Sequence, residues 1–226
     1  MTAKKKPAPA KKKLLIVDDH PMMRQGLTML INHEPDLTVC GEAETAHQAL
    51  AAVGTLKPDL VLADITMPGK NGLEFIKDLH AMHPGTAVLA VSMHDESVYA
   101  ERVLRAGGRG YIMKQEGGKK LMQAIRQVLN GEIYVSEKMS AKILEIFSGR
   151  RAVTSQSPVE QLTDREFEVY QLIGQGRGTK EIAGQLHLSV KTIEVHRLHI
   201  KEKLKLVTAT ELIRHAVRWV ESQGGE

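Results

Sequence analysis

The chain has 226 residues, 42% hydrophobic and 26% charged, which suits one large or two small domains of an ordinary globular protein. Its single cysteine, Cys40, excludes an internal disulfide and favours a reducing, cytoplasmic compartment. No apolar run approaches the roughly 20 residues of a membrane helix, and the four apolar residues at 14–17 are too few for a signal peptide, so no membrane association is expected.

The positive charge is concentrated at the N-terminus. The chain holds 31 basic and 27 acidic residues, with a pI of about 9.1. Residues 1–13 carry six lysines and no acidic residue, whereas residues 14–150 carry 14 basic and 17 acidic residues. The pI therefore does not by itself indicate DNA binding. We expect residues 1–12 to form a disordered basic tail, which either only aids solubility or adds weak attraction to anionic surfaces.

Residues 13–131 alternate between short apolar runs and amphipathic segments. The predicted strands are 14–17, 37–40, 60–63, 87–91 and 110–113. The predicted helices are 21–32, 45–54, 72–82, 95–105 and 117–129. This alternation predicts an α/β domain with a parallel five-stranded sheet, and the near-continuous apolar strands indicate that helices cover both of its faces.

The remaining residues contain no strand pattern. One further helix is predicted at 136–147, followed by a polar, proline-containing linker at 148–158. Four more helices are predicted at about 163–174, 179–186, 190–204 and 208–220. The expected domains are thus 13–131 and an all-α domain at 161–222, joined by a helix and linker at 132–160.

Polar side chains stand at the ends of the predicted strands. They are Asp18 and Asp19 after the first strand, Asp64 after the third, Ser92 after the fourth and Lys114 after the fifth. Ligands of open parallel sheets bind at this edge, so we expect the five groups to converge. Packed carboxylates need a cation, and their oxygens suit Mg²⁺. A carboxylate beside Mg²⁺ can attack phosphorus and form an acyl phosphate. The alternative, that each acidic residue only caps the helix that follows it, does not explain why all five groups stand at strand ends.

Four segments resemble receiver domains of the NarL/FixJ family of two-component response regulators. They are residues 14–21 (LLIVDDHP), 64–72 (DITMPGKNG), 91–94 (VSMH) and 110–114 (GYIMK). The resemblance covers the whole first domain and implies a flavodoxin-like, doubly wound sheet of strand order 2-1-3-4-5.

The same resemblance implies a role for each pocket residue. Asp64 would be the phosphorylated residue. Mg²⁺ would be held by Asp19, Asp64 and the backbone carbonyl of Thr66, with Asp18 assisting through water.

The resemblance also implies the groups that respond to phosphorylation. Ser92 and Lys114 would contact the phosphoryl group, and Tyr111 would be an aromatic rotamer switch. From the sequence alone, Tyr111 could equally be a static, half-buried strand residue. Thr66 and His94 flank the pocket and are expected to affect the lifetime of the phosphoryl group.

The C-terminal helices carry capping signals and a tight turn. Thr163 is predicted to cap the first of them, with Glu166 three residues later completing a capping box. Thr179 and Ser189 are predicted to cap the next two helices, which a short turn joins into a helix-turn-helix. The turn lacks glycine, so His187 is expected to adopt the left-handed conformation.

The helix predicted at 190–204 is the candidate recognition helix. Its expected inner face holds Ile193, His196, Ile200 and Leu204. The opposite face carries the candidates for contacts with base edges, Lys191, Glu194, Val195 and Leu198. Three flanking residues suit phosphate contacts: Thr192, Arg197 and Lys201.

Residues 180–183 (KEIA) and 188–197 (LSVKTIEVHR) resemble the LuxR-type helix-turn-helix, over about 162–220. The resemblance implies that the last helix pairs two DNA-binding domains through an apolar stripe of Leu212, Ile213, Ala216 and Val217. The stripe could instead pack only within its own domain, and both roles are compatible.

Together these features predict a response regulator and transcription factor, not an enzyme with a separate substrate. Its expected partners are a sensor histidine kinase, double-stranded promoter DNA and a second copy of the chain after activation, with RNA polymerase left open. A phosphatase of the haloacid dehalogenase type would need an aspartate where Thr66 stands, and residues 18–26 lack a glycine-rich dinucleotide loop. A regulator that binds DNA without phosphorylation, with its receiver serving for dimerisation, remains the alternative.

Overall fold

A computed structural model describes residues 10–67, 72–147 and 158–223. Most of the predicted basic tail, residues 68–71 of the loop after Asp64 and most of the predicted linker lie outside these described residues. The chain divides into two compact units, and the chief boundary between them lies between Val135 and Ser136.

The first unit is a doubly wound α/β fold. In chain order its elements are β1 (Lys12–Val17), α1 (Pro21–His33), β2 (Leu37–Ala43), α2 (Ala46–Leu56), β3 (Leu60–Ala63), α3 (Gly72–Met82), β4 (Ala87–Ser92), α4 (Glu96–Arg105), β5 (Gly110–Met113) and α5 (Gly118–Leu129). All strand pairs are parallel, and the sheet order is β2-β1-β3-β4-β5. The predicted fold class and strand order are therefore confirmed.

Apolar strands build the core of this unit. The segment Leu14–Val17 and all four residues of β3 are buried, as expected for strands covered on both faces. One cluster on the sheet joins Leu14 and Ile16 of β1 to Leu27 of α1 and Ile125 of α5. Because the strands pack side by side in this core, the residues at their carboxyl ends lie along one edge of the sheet.

Strand β2 is longer than the sequence predicted. Its pairing with β1 shifts between Leu14 and Leu15, which leaves Cys40 without a register partner, and the strand then continues to Ala43. The Cys40 thiol donates instead to the carbonyl oxygen of Leu14 at 3.3 Å. The predicted strand ended at this irregularity because Gly41, which has no side chain, and the charged Glu42 interrupt the apolar pattern.

A segment after α5 extends the sheet at its β5 edge. Tyr134 forms a parallel bridge with Gly110, in which the Tyr111 N–H donates to Tyr134 O at 2.9 Å and the Tyr134 N–H donates to Arg109 O at 3.0 Å. A Cβ on Gly110 would lie 2.7 Å from the carbonyl oxygen of Tyr134. Glycine at this position therefore permits the close approach.

The second unit is helical. Its elements are α6 (Glu137–Phe147), a 3₁₀ turn at Pro158–Gln161, α7 (Asp164–Gly174), α8 (Thr179–Gln185), α9 (Val190–Lys203) and α10 (Ala209–Gln223). The four helices predicted between 163 and 220 are all present, with boundaries shifted by three residues or fewer. Among the described residues, no helix is both long and apolar enough to cross a membrane.

The helix caps of this unit match the sequence patterns with one exception. Thr163 and Glu166 form the predicted capping box, and Ser189 accepts a hydrogen bond from the Thr192 N–H at 3.0 Å. His187 has the expected positive φ of 53°. The prediction for Thr179 is wrong, because Gly178 occupies the N-cap position and Thr179 is the first helical residue.

Candidate functional site

The polar residues at the strand ends meet at the carboxyl edge of the sheet. Backbone hydrogen bonds hold them there: Asp64 N–H donates to Val17 O at 2.8 Å, and Lys114 N–H donates to Ser92 O at 2.7 Å. The side chains of Asp18, Asp64 and Ser92 are buried. The polar side chains that follow the strands therefore lie close together at this edge, as expected.

Lys114 is the electrostatic centre of the pocket. Its Nζ lies 2.6 Å from Asp18 Oδ2 and 2.7 Å from Asp64 Oδ2, and its side chain is only 4% exposed. Burial raises the pKa of Asp64 above its usual value, and the Lys114 ammonium offsets only part of this effect. Burial also opposes the charge of Lys114, but the carboxylates of Asp64 and Asp18 outweigh it and raise the pKa of the ammonium.

The ligands that a cation would need are also close together. Ligand atoms of Asp18, Asp19, His20 and Asp64 all lie within 4.8 Å of one another. Within the described ranges, Asp19 Oδ1 is a buried side-chain oxygen that accepts no well-aligned hydrogen bond, although His20 Nδ1 lies 2.8 Å away. A buried carboxylate oxygen without a well-aligned hydrogen-bond donor suits the coordination of a hard dication such as Mg²⁺.

Thr66 and His94 form a direct contact beside Asp64. The Thr66 N–H donates to Asp64 Oδ1 at 3.1 Å, and the Thr66 hydroxyl lies 2.8 Å from His94 Nε2. The His94 ring stacks on Tyr99 of α4 with centroids 4.9 Å apart. Burial lowers the pKa of His94, and the nearby charge of Lys114 acts in the same direction. A neutral imidazole therefore lies against Thr66 beside Asp64.

Tyr111 is fully buried and connects β5 to the loop after β4. Its hydroxyl donates to the backbone carbonyl oxygen of His94 at 2.7 Å, and the His94 N–H donates to Ser92 Oγ at 3.2 Å. Burial raises the pKa of Tyr111, so its phenol stays protonated and remains a donor. Ser92, His94 and Tyr111 are thus linked through one short loop.

The second unit presents the predicted faces of the candidate recognition helix α9. Ile193 and Ile200 have no exposed surface and Leu204 is buried, while His196 is half-buried. The residues on the opposite face are exposed: Lys191, Glu194, Val195 and Leu198. Two of these exposed side chains, Val195 and Leu198, are apolar, and the rest of the second unit does not cover them.

The three residues predicted to contact phosphates differ in the contacts that they already make within the domain. Arg197 is half-buried, and its Nη1 lies 3.4 Å from the hydroxyl of Thr179 on α8. The Thr192 hydroxyl lies 2.8 Å from the hydroxyl of the capping residue Ser189. Lys201 is half-buried. All three stand at the flanks of the exposed face, as the helical periodicity requires.

The stripe on α10 is divided between the core and the surface. Leu212 and Ala216 have no exposed surface, so they pack within their own domain. Ile213 is 44% exposed and Val217 is half-buried. Only the latter pair is available, without rearrangement, for contact with a second copy.

Arg24 is a buried pocket residue that sequence reasoning missed. Its Nη1 donates to the backbone carbonyl of Asp18 at 2.7 Å, and its Nη2 lies 2.6 Å from Glu44. It thereby fixes the backbone at the end of β1. Its position in α1 resembles that of any exposed arginine, so no sequence signal identifies it; only the spatial proximity of β1, α1 and the loop after β2 does.

The fold and site define a class of regulator in which an acidic, lysine-containing pocket on an α/β domain accompanies a helix-turn-helix unit. Residues 14–126 match the response regulator receiver domain family, and residues 160–216 match the luxR family of bacterial regulatory proteins. The chain belongs to the response regulators, with a receiver domain followed by a LuxR-type DNA-binding domain.

Curated relatives match along nearly the whole chain. The oxygen regulatory protein NreC of Staphylococcus carnosus (strain TM300) is 36% identical over 210 residues, covering 91% of this chain and 97% of that protein. NreC of Staphylococcus aureus (strain MRSA252) is 37% identical over the same length and shares.

Solved structures share the fold. A two-component response regulator of the LuxR family from Aurantimonas sp. SI85-9A1 is 31% identical, with a TM-score of 0.57, and the match covers 62% of this chain and 99% of that one. RcsB from Salmonella enterica serovar Typhimurium, bound to promoter rprA in the presence of the phosphomimetic BeF3-, is 23% identical with a TM-score of 0.62. That match covers 92% of this chain and 98% of the RcsB chain.

Proposed function

We propose that Asp64 accepts a phosphoryl group from a sensor histidine kinase and that this modification controls dimerisation and promoter binding. The observation that carries the proposal is the contact of Lys114 with both Asp64 and Asp18 in a buried pocket. In the transfer step, a carboxylate oxygen of Asp64 attacks phosphorus, the bond from phosphorus to the kinase histidine breaks, and an acyl phosphate results. The chain is thus the acceptor of the group and at most removes it again by hydrolysis.

Asp19, Asp64 and the backbone carbonyl of Thr66 would hold Mg²⁺, with Asp18 assisting through water. The ion supplies positive charge that neutralises the carboxylates and the transferring phosphoryl oxygens. The buried, unsatisfied Oδ1 of Asp19 supports this assignment. Lys114, which already lies against Asp64, would bind a phosphoryl oxygen after transfer.

The response to phosphorylation would pass through Ser92 and Tyr111. A phosphoryl group adds nearly two negative charges, and its oxygens would attract the Ser92 hydroxyl and the Lys114 ammonium. The His94 N–H donates to Ser92 Oγ, and the His94 carbonyl accepts from the Tyr111 hydroxyl. A shift of Ser92 would therefore be transmitted to His94 and to Tyr111. This would bias an equilibrium between two arrangements of the loop after β4.

In the DNA-binding domain, α9 would enter the major groove. Its exposed Lys191, Glu194, Val195 and Leu198 would approach base edges. Its flanking Thr192, Arg197 and Lys201 would contact phosphates. Ile213 and Val217 of α10 would contribute to pairing of two such domains. We place the receiver domain at 13–131 and the DNA-binding domain at 161–222, both acting in the cytoplasm.

The function is tested by measuring dimerisation and DNA binding of the full chain with Mg²⁺, in the presence and absence of beryllofluoride. Sedimentation velocity gives the dimer fraction, and selection from a random duplex pool gives the bound sequences. We expect beryllofluoride to raise the dimer fraction and to enrich two-half-site sequences, and Asp64→Asn to abolish both effects. No change in either measurement would favour the phosphorylation-independent regulator instead.

A further inference from the structure

His20 follows the two aspartates at the end of β1 and points its ring nitrogen into the acidic pocket. Its Nδ1 lies 2.8 Å from Asp19 Oδ1 and 3.2 Å from Asp18 Oδ1. It occupies the N-cap position of α1 but makes no side-chain hydrogen bond to that helix. The imidazole is therefore not required for capping, and its side chain is 68% exposed, so it is free to adjust.

The distance between His20 Nδ1 and Asp19 Oδ1 suits two neighbouring ligands on one ion. Two atoms that each lie about 2.1 Å from a metal, at a right angle to one another, are roughly 3 Å apart. The 2.8 Å between Nδ1 and Asp19 Oδ1 is close to this value, whereas the 3.2 Å contact with Asp18 Oδ1 is a hydrogen-bonding contact, because Asp18 would reach the ion only through water. In addition, Asp19 Oδ1 is buried without a well-aligned hydrogen bond, so a cation ligand bond would satisfy it.

We propose that His20 Nδ1 is a further protein ligand of the receiver's metal ion and that it makes the site favour first-row transition dications over Mg²⁺. The inference rests on the metal site proposed above at Asp19 and Asp64. Mg²⁺ takes oxygen ligands, whereas imidazole nitrogen adds affinity for transition ions. With His20, the pocket offers a mixed oxygen and nitrogen set in place of an all-oxygen set.

The competing explanation is that His20 only positions Asp19 by a polar contact. His20→Asn separates the two, since asparagine is a good N-cap residue and keeps a polar group but offers a metal only an amide oxygen and no imidazole nitrogen. A positioning role would affect every ion that Asp19 binds. A ligand role would affect only ions that accept nitrogen.

The experiment uses the full chain with Mn²⁺ and Mg²⁺ as probes. Mn²⁺ binding is followed by the loss of the free-ion electron paramagnetic resonance signal, coordinated nitrogen by ¹⁴N modulation of the electron spin echo, and Mg²⁺ binding by calorimetry. His47→Asn, an exposed histidine on α2, is the matched control, and Asp64→Asn shows which binding belongs to this pocket.

We expect ¹⁴N modulation in the wild type and in His47→Asn, and its loss in His20→Asn. His20→Asn should weaken Mn²⁺ binding by about tenfold, through the loss of the imidazole nitrogen, and change Mg²⁺ binding by less than about twofold. Equal weakening of both ions, no weakening of either, or ¹⁴N modulation that survives in His20→Asn would overturn the ligand role while leaving the proposed function intact. Failure of the wild type to bind either ion would overturn both proposals.

Discussion

The Tyr111 hydroxyl donates a hydrogen bond to the backbone carbonyl of His94 at 2.7 Å, and this bond joins β5 to the loop that follows Ser92. Tyr111→Phe keeps the buried ring but leaves that carbonyl unpaired. We expect the receiver domain to lose about 1 kcal/mol of unfolding free energy, measured by urea titration. Amide exchange at residues 92–95 should accelerate, and the dimer gained with beryllofluoride should decrease.

Tyr134→Phe is the matched control, because Tyr134 is only half-buried and lies in the segment that pairs with β5. Exchange at residues 92–95 should be unaffected by it. If Tyr111→Phe behaved like this control, the hydrogen bond to His94 would have no part in the switch.

Thr66 and His94 should act as one unit on the lifetime of the acyl phosphate. Thr66→Val and His94→Leu each remove the contact between Thr66 Oγ1 and His94 Nε2. This contact holds the His94 ring beside the acyl phosphate, so its loss should let water reach the group more easily. Each variant should then hydrolyse its phosphoryl group about fivefold faster, equivalent to about 1 kcal/mol. Dephosphorylation of the purified, phosphorylated chain gives these rates.

The double variant is the decisive comparison. It should be no faster than the faster single variant, whereas Thr55→Val, whose hydroxyl bonds Ala51 within α2, should leave the rate unchanged. Two effects that simply multiply would mean that Thr66 and His94 act independently.

Gly110→Ala tests the segment that extends the sheet. The added Cβ would lie 2.7 Å from the carbonyl oxygen of Tyr134, so the two hydrogen bonds of the bridge should break. We expect a loss of about 2 kcal/mol in unfolding free energy and faster amide exchange of Tyr111 and Tyr134.

Gly54→Ala serves as its control, because a Cβ at that exposed position of α2 meets nothing within 4 Å. It should stabilise the domain by about 0.5–1 kcal/mol through helix propensity. Unchanged exchange at Tyr134 in Gly110→Ala would show that the bridge does not depend on this glycine.

Glu166 should make the stability of the DNA-binding domain depend on pH. Burial alone would raise the pKa of Glu166, but hydrogen bonds from Lys203 and from the Thr163 N–H outweigh it and lower the pKa below its ordinary 4.5. The charged form therefore stabilises the domain above pH 4.5, and this contribution is lost as the pH falls through the lower, folded pKa.

Glu166→Gln should lower the unfolding free energy at pH 7 by about 2 kcal/mol and flatten its dependence on pH below 4.5. Trp219, the single tryptophan of the chain, packs against Phe167 and Tyr170, so its fluorescence follows this domain alone. Glu202→Gln on the exposed side of α9 should change neither quantity. An equal effect of the two variants would contradict a special role for Glu166.

The fold and the centre of the site could be predicted from the sequence because both depend on local patterns. Continuous apolar runs identify buried strands, and the rule for strand ends then brings Asp18, Asp64, Ser92 and Lys114 together. The bulge at Cys40 could not be predicted, since it depends on the partner strand.

The contacts between elements that are distant in the sequence were also inaccessible. The 2.8 Å contact between Thr66 and His94 spans 28 residues, and the bridge of Tyr134 to Gly110 depends on how the chain leaves α5. The division of the α10 stripe, with Leu212 buried and Ile213 exposed, follows from which face meets α7 and α9, and helical periodicity alone does not determine that.

Phosphoryl incorporation into the full chain from a small phosphodonor with Mg²⁺ shows directly whether Asp64 is the acceptor. It is followed by intact mass and by lability of the group to hydroxylamine. We expect one labile phosphoryl group on the wild type and on the control Asp59→Asn, because the Asp59 carboxylate pairs with Lys12 at the start of β1 and lies outside the pocket. We expect none on Asp64→Asn. Undiminished incorporation into Asp64→Asn would contradict the assignment of Asp64 as the acceptor.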